Sequence, residues 1–257
     1  MLDFTLKTYR KLLLCLQTRE YTFQTLTDFI RQAEDLSIIL RHDVDRKPKN
    51  ALVIAKIERD ANITASYYFR IVKESYDERV IKRIAEMGHE IGYHYENMDT
   101  CNGDVDSAWD DFQYNLDKLR KITEVKTICM HGSPRSKFDN KSLWKKYDYK
   151  FLGIIGEPYF DINFDKVFYL TDTGRRWDGW KMSMRDKISQ QGNWINQGLV
   201  FHATTDIINA VDEGKFPSKV MITTHPQRWT NNRILWFKEL IWQNVKNIIK
   251  KILLIRS

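Results

Sequence analysis

Two rhythms of apolar and polar residues alternate along this chain. Short apolar runs, too brief for a helix and rich in β-branched residues, read as buried strands; longer stretches with an apolar residue every three or four positions read as helices. The clearest run is Asp35-Leu36-Ser37-Ile38-Ile39-Leu40, and further strands are expected over 65–71, 90–96, 126–132, 151–155, 167–171 and 219–224. Between them the spacing predicts helices over 48–62, 76–87, 106–122, 140–147 and 204–211. Two earlier helices, over 3–17 and 25–33, precede the first core strand and read as a cover rather than a separate domain. Strands that alternate with helices argue for a parallel α/β structure with right-handed crossovers. Periodicity does not separate an open sheet from a closed barrel.

The final helix, over 233–255, carries a stripe of Ile234, Phe237, Ile241, Val245, Ile248, Ile252 and Ile255. Its first half is expected to face the core and close the fold. Its end, Ile252-Leu253-Leu254-Ile255, stands among Lys246, Lys250, Lys251 and Arg256. That pattern suits a membrane-interface foot or a frayed apolar tail.

Chemistry gathers where the strands end. The first runs into Leu40-Arg41-His42-Asp43-Val44-Asp45-Arg46, and Pro48 then opens a helix. Strand side chains alternate faces, so Asp43 and Asp45 point the same way and His42 points away. An Asx-rich turn that merely caps a helix would look similar. A second site tips the balance: Gly88-His89-Glu90-Ile91-Gly92-Tyr93-His94-Tyr95-Glu96, with His94 and Glu96 on one face. Two strand ends offering Asp, Asp, His and Glu suffice to hold a divalent cation and keep one carboxylate as a base. His89 sits at a strand start and reads as structural.

This pair of motifs resembles the polysaccharide deacetylases, the NodB-homology or carbohydrate esterase family 4 group, and within it the His-Asp-Val-Asp branch associated with surface-polysaccharide biosynthesis. The resemblance runs from the first motif to near Lys250 and takes in the N-terminal lead-in. It implies a distorted (β/α)7 barrel in a single domain over 1–257, with 1–34 as a helical cover and 231–257 as a basic amphipathic helix. It also implies that Asp43 is the catalytic base and that Asp45 and His94 are metal ligands. His225, in Thr224-His225-Pro226 after the last strand, takes the place of the family's catalytic acid.

Two departures matter. The family's next ligand His falls at Met98, and a thioether is a poor partner for a hard or borderline cation. His131, in Cys129-Met130-His131-Gly132-Ser133-Pro134, stands where the family carries an Arg motif. Either His131 or Glu96 completes the metal site, or the metal is weakly bound or absent. His131 is preferred because zinc, the metal expected, favours imidazole, leaving Glu96 to support it or to meet substrate. In the loop over 172–198, Asp172, Arg175, Trp177 and Arg185 read either as a solvated ion-paired loop or as substrate contacts. In the second reading Trp177 stacks on a sugar and an Arg grips a carboxylate or phosphate. The family carries an Asp and a Trp in this region that tune and bury the acid His. Trp229 is placed with the substrate contacts.

Composition narrows this further. The 257 residues carry 41 basic and 34 acidic side chains, a net charge of +7 that suits an anionic partner. No nucleic-acid motif accompanies the charge. Three cysteines, Cys15, Cys101 and Cys129, form no Cys-x-x-Cys pair, which argues against a disulfide framework or a structural zinc. The run Leu12-Leu13-Leu14-Cys15-Leu16 is too short for a signal peptide, and no apolar run reaches the ~18 residues of a membrane span. The expectation is a cytoplasmic protein, peripheral to a membrane where the C-terminal helix serves as a foot. The resemblance implies a hydrolase that uses a divalent metal to remove an N-acetyl or other acyl group from a sugar or glycolipid. A catalytically degenerate glycan-binding or scaffold protein on the same fold is the alternative.

Overall fold

The computed structural model describes residues 2–133, 136–178 and 188–255, with backbone alone for 249–255. Its seven strands are β1 (Thr22–Gln24), β2 (Ser37–Val44), β3 (Ser66–Phe69), β4 (Glu90–Tyr95), β5 (Ile128–Met130), β6 (Phe168–Thr171) and β7 (Lys219–Thr224). Every pairing is parallel, in the order β5-β4-β3-β2-β7-β6, with β1 beside the first half of β2. Among the described residues a single bridge, Thr127 to Gly156, continues the sheet beyond β5, and the sheet curls as a distorted, open (β/α) barrel.

The helices are α1 (Leu6–Thr18), α2 (Leu26–Arg31), α3 (Pro48–Asp60), α4 (Glu78–Ala85), α5 (Asn97–Thr100), α6 (Val105–Arg120), α7 (Pro158–Asp161), α8 (Gln191–Asn196), α9 (Thr204–Asp212) and α10 (Arg233–Ile255). Local signals set many of their starts. Thr5, Thr25, Asp77 and Asp104 each accept a backbone N–H of the first turn of α1, α2, α4 and α6. Pro48 begins α3, where a missing N–H costs nothing. The core is one contiguous apolar cluster from Phe4 to Trp229. The N-terminal segment closes onto it: the Tyr9 hydroxyl donates to buried Glu58, and the Phe4 carbonyl accepts from the Thr230 amide.

Two expectations fail. Residues 151–155 form no strand; a 3-10 turn over Tyr149–Leu152 ends at Gly153, which takes the left-handed conformation at φ 71, and Phe151 is 89% exposed. The first half of α10 does not bury its apolar stripe. It buries Trp236, Glu239 and Gln243, and leaves Ile234, Phe237, Ile241, Val245 and Ile248 in solvent. The inner face is chosen by polar partners: Glu239 receives Arg46 at 2.8 Å and the Trp236 carbonyl receives Arg175 at 2.8 Å.

Inside the barrel, one glycine is required by its neighbour. Tyr68 and Gly92 are partners across β3 and β4, and a Cβ on Gly92 would lie 2.3 Å from Tyr68 Cε1. Tyr68 has no exposure and bonds Thr127 Oγ1 at 3.0 Å, so its ring has little room to yield. Gly92→Ala should cost about 1–3 kcal/mol by overpacking, read by chemical denaturation. An unchanged midpoint would mean that the ring moves aside freely.

Candidate active and metal site

The centre of the sheet sets the first carboxylate. Arg41 and Asp43 stand two residues apart on β2, on its interior face, and form a buried two-pronged ion pair: Nε and Nη2 donate to the two Asp43 oxygens at 2.8 and 2.7 Å. Burial pushes the Asp43 carboxyl up; the Arg41 guanidinium, then His94, outweigh it and hold the pKa below the ordinary carboxylate value. His94 Nε2 lies 3.8 Å from Asp43.

Asp45 follows where β2 ends. Its Oδ1 faces His94 Nε2 at 3.5 Å and His131 Nε2 at 3.7 Å. Among the described residues that oxygen has no hydrogen-bond partner, and it is shut from solvent, although 23% of the side chain is exposed. The other oxygen accepts from Gln227 Nε2 at 3.1 Å. One donor atom from each of Asp45, His94 and His131 falls within 4.8 Å of the others. Burial again disfavours the charge, and the three surrounding histidines, His94 foremost, hold Asp45 well below the ordinary carboxylate value.

Both imidazoles are held from behind. His94 Nδ1 lies 2.9 Å from the Cys129 carbonyl, an acceptor only, so Nδ1 carries a proton; in the neutral ring the lone pair is then on Nε2, the atom that faces Asp45. His131 Nδ1 meets Glu96 Oε2 at 2.8 Å, and Arg70 grips the same carboxylate at 2.8 Å. Burial opposes the Glu96 charge, but His131 and Arg70 lower its pKa to about 2. Imidazoles oriented by a carbonyl or carboxylate behind them, with an orphaned carboxylate oxygen between them, suit a divalent cation. A second trio, Asp43, His94 and Cys129, meets the same distance limit deeper in the barrel.

The fourth group enters from β7. His225 Nε2 stands 3.9 Å from Asp45 Oδ2, and its Nδ1 meets Asp172 Oδ1 at 2.5 Å. Asp172 also accepts the His225 amide at 3.0 Å, Trp229 Nε1 at 2.8 Å and Arg228 Nη1 at 2.5 Å. Arg228 Nη1 is 2.7 Å from His225 Nδ1 as well. The neutral ring has a choice there, but the protonated ring can only donate to Asp172. Burial would raise the Asp172 carboxyl; Arg228, then His225, bring it down to about 2.

The site therefore brings together Asp43, Asp45, His94, His131 and His225 as the sequence suggested, and revises the substrate contacts. Glu96 is spent on His131 and Arg70, and Asp172 on His225. Trp177 and Trp229 are each 1% exposed and pack on each other and on Phe4, so neither offers a face to a sugar. Arg175, with φ 61, points away onto the Trp236 ring, 4.1 Å from its centroid. Arg185 lies outside the described residues. Met98 is in the core, 4% exposed. His42 faces the other side of the sheet, bonded to Thr224 Oγ1 at 2.6 Å and Glu58 Oε1 at 2.7 Å. His89 bonds the Ala55 carbonyl, and His202, without an evident partner in sequence, meets Asp178 at 3.1 Å.

Four site residues went unread in the sequence: Arg41, Arg70, Gln227 and Arg228. Arg41 had a signal, its place two residues before Asp43 on one strand. Arg70 follows β3, and Gln227 and Arg228 lie in the 3-10 turn just past His225.

No protein-family model matches the chain, and no curated protein matches it by sequence. Solved structures do match. A CE4 family pseudoenzyme from Bacillus anthracis is 15% identical with a TM-score of 0.46, over 82% of this chain and 60% of its own. This chain thus spans about three fifths of that protein's length. A peptidoglycan N-acetylglucosamine deacetylase is 14% identical with a TM-score of 0.45, over 89% of this chain and 87% of its own. A family 4 carbohydrate esterase from Bacillus subtilis is 15% identical with a TM-score of 0.41, over 92% and 84%.

Proposed function

We propose that this chain is a metal-dependent hydrolase that removes an N-acyl group, acetyl in the simplest case, from a sugar of a surface polysaccharide or of its lipid-linked precursor. The observation that carries the reading is the orphaned Asp45 Oδ1 between the Nε2 atoms of His94 and His131, with Asp43 and His225 close by. Asp45, His94 and His131 would hold the ion, with zinc favoured by the two imidazoles. A bound divalent metal supplies the Lewis acidity that makes water acidic enough for so weak a base as Asp43 and that polarises the acyl carbonyl.

Asp43, kept ionised and oriented by Arg41, takes the proton of the attacking water. His225 holds a proton on Nε2 and delivers it to the leaving amine, while Asp172 fixes the orientation of the ring through Nδ1. Arg70 and Glu96 keep His131 from turning away. The modest excess of positive charge suits a glycan that bears phosphate or carboxylate.

The test is metal content per chain, by mass spectrometry on protein purified without chelator or histidine tag, beside acetate release from an N-acetylated oligosaccharide. About one transition metal per chain is expected. His131→Ala should lose it. Metal retained by His131→Ala would move the third donor to Glu96. No metal in either protein after reconstitution would overturn the hydrolase and select the alternative, a glycan-binding protein on a degenerate site.

A further inference from the structure

Among the described residues, the outward face of α10 has no partner within the chain. Ile234, Phe237, Ile241, Val245 and Ile248 are each between 42% and 67% exposed, and Leu235 and Trp242 widen the stripe at 49% and 50%. The helix cannot roll to hide it, because its inner face is tied down at four points. Trp236 Nε1 donates to the Asp3 carbonyl at 2.7 Å, Arg175 to the Trp236 carbonyl at 2.8 Å, Arg46 to Glu239 at 2.8 Å, and Asn247 to the Gly174 carbonyl at 3.0 Å. Arg46 adjoins Asp45, and Gly174 lies two residues past Asp172. The helix is thus bolted to the two loops that carry those acids.

Charge decides what covers the stripe. The helix has five basic residues, Arg233, Lys238, Lys246, Lys250 and Lys251, and one acid, Glu239. That acid is turned inward and paired, while Arg233 and Lys238 are exposed beside the stripe. A second copy seated here would bring two sets of cations together, with no outward acid on either helix to neutralise them. An anionic lipid surface answers both features: it takes the apolar side chains, with Trp and Phe at headgroup depth, and attracts the lysines. No described helix is long and apolar enough to cross a membrane, so the fit is to the surface of a bilayer.

We infer that α10 lies in the interface of an anionic membrane, apolar stripe down, and holds the Asp45 and Asp172 loops beside the bilayer. The inference does not rest on the proposed reaction. It is tested by sedimenting the full chain with phosphatidylglycerol vesicles and with phosphatidylcholine vesicles at low and high salt. Binding at least ~10-fold stronger to the anionic vesicles, weakened by salt, is expected. The double variant Ile241→Glu with Val245→Glu should lose binding with an unchanged thermal midpoint, since both side chains are exposed. Lys238→Glu alone should weaken it. Three results would overturn the inference: no sedimentation with either vesicle, binding indifferent to all these changes, or a soluble dimer that the double variant dissociates.

Discussion

Asp43→Asn is expected to stop turnover while the metal stays, and Asp45→Ala to lose both. The split follows from the two oxygen environments. Both Asp43 oxygens are taken by Arg41, whereas Asp45 Oδ1 faces two imidazoles and bonds to nothing else. Removing the base should reduce kcat by roughly 10²–10⁴-fold. Removing Asp45 leaves two histidines, too few for a stable site. Asp43→Asn should also lower stability, because an Arg41 that is 1% exposed loses its counter-charge; breaking a buried pair costs about 3–5 kcal/mol. Metal content measured beside acetate release decides the matter. Metal kept by both variants, or lost by both, would sink the division of roles.

The second large effect is at Asp172. Asp172→Asn should reduce kcat about 10²–10⁴-fold with KM little changed and the metal retained. An amide cannot hold the His225 imidazolium, and it favours the wrong tautomer of the neutral ring. Arg228 and Trp229 Nε1 lose the same acceptor, so the thermal midpoint should fall too. The pH dependence has a definite sign. The Asp172 carboxyl is depressed to about 2 from its ordinary value of 3.8, so its contribution to stability is present above about pH 4 and is lost as pH falls toward 2. The variant's stability should be flatter across that window. A variant that loses metal, or one with unaltered kcat, would show that Asp172 does not act through His225.

Strand alternation made the face of Asp43 and Asp45 readable, and put His42 behind it. The same rule reached His94; His131 and His225 came through the resemblance, which directs attention to the ends of β5 and β7. Alternation applied to Arg41 as well, but the resemblance directed attention to an Arg beyond β5, and the partner two residues upstream was passed over. Arg70 follows β3 and Gln227 stands in the turn after β7, and no local pattern shows that a fold brings them to the acids that follow β2 and β4. The tryptophans misled for a related reason. Trp177 reads as a plate on a loop, but the N-terminal segment docks Phe4 against it, and that contact spans most of the chain. In α10 periodicity revealed which residues share a face; which way that face turns was decided by Arg46, Arg175 and Asp3.

Arg41, His42 and Asp43 are consecutive, yet they serve opposite sides of one sheet. The odd pair belongs to the candidate site, and His42 belongs to a buried cluster with Glu58, Tyr67 and Thr224. A single residue inserted or deleted within β2 would exchange these sides, driving an imidazole into the barrel and an ion pair among tyrosines. The register of this strand thus matters to the fold as much as the identity of its side chains. Change in length has to accumulate elsewhere, in the connections that follow the strands.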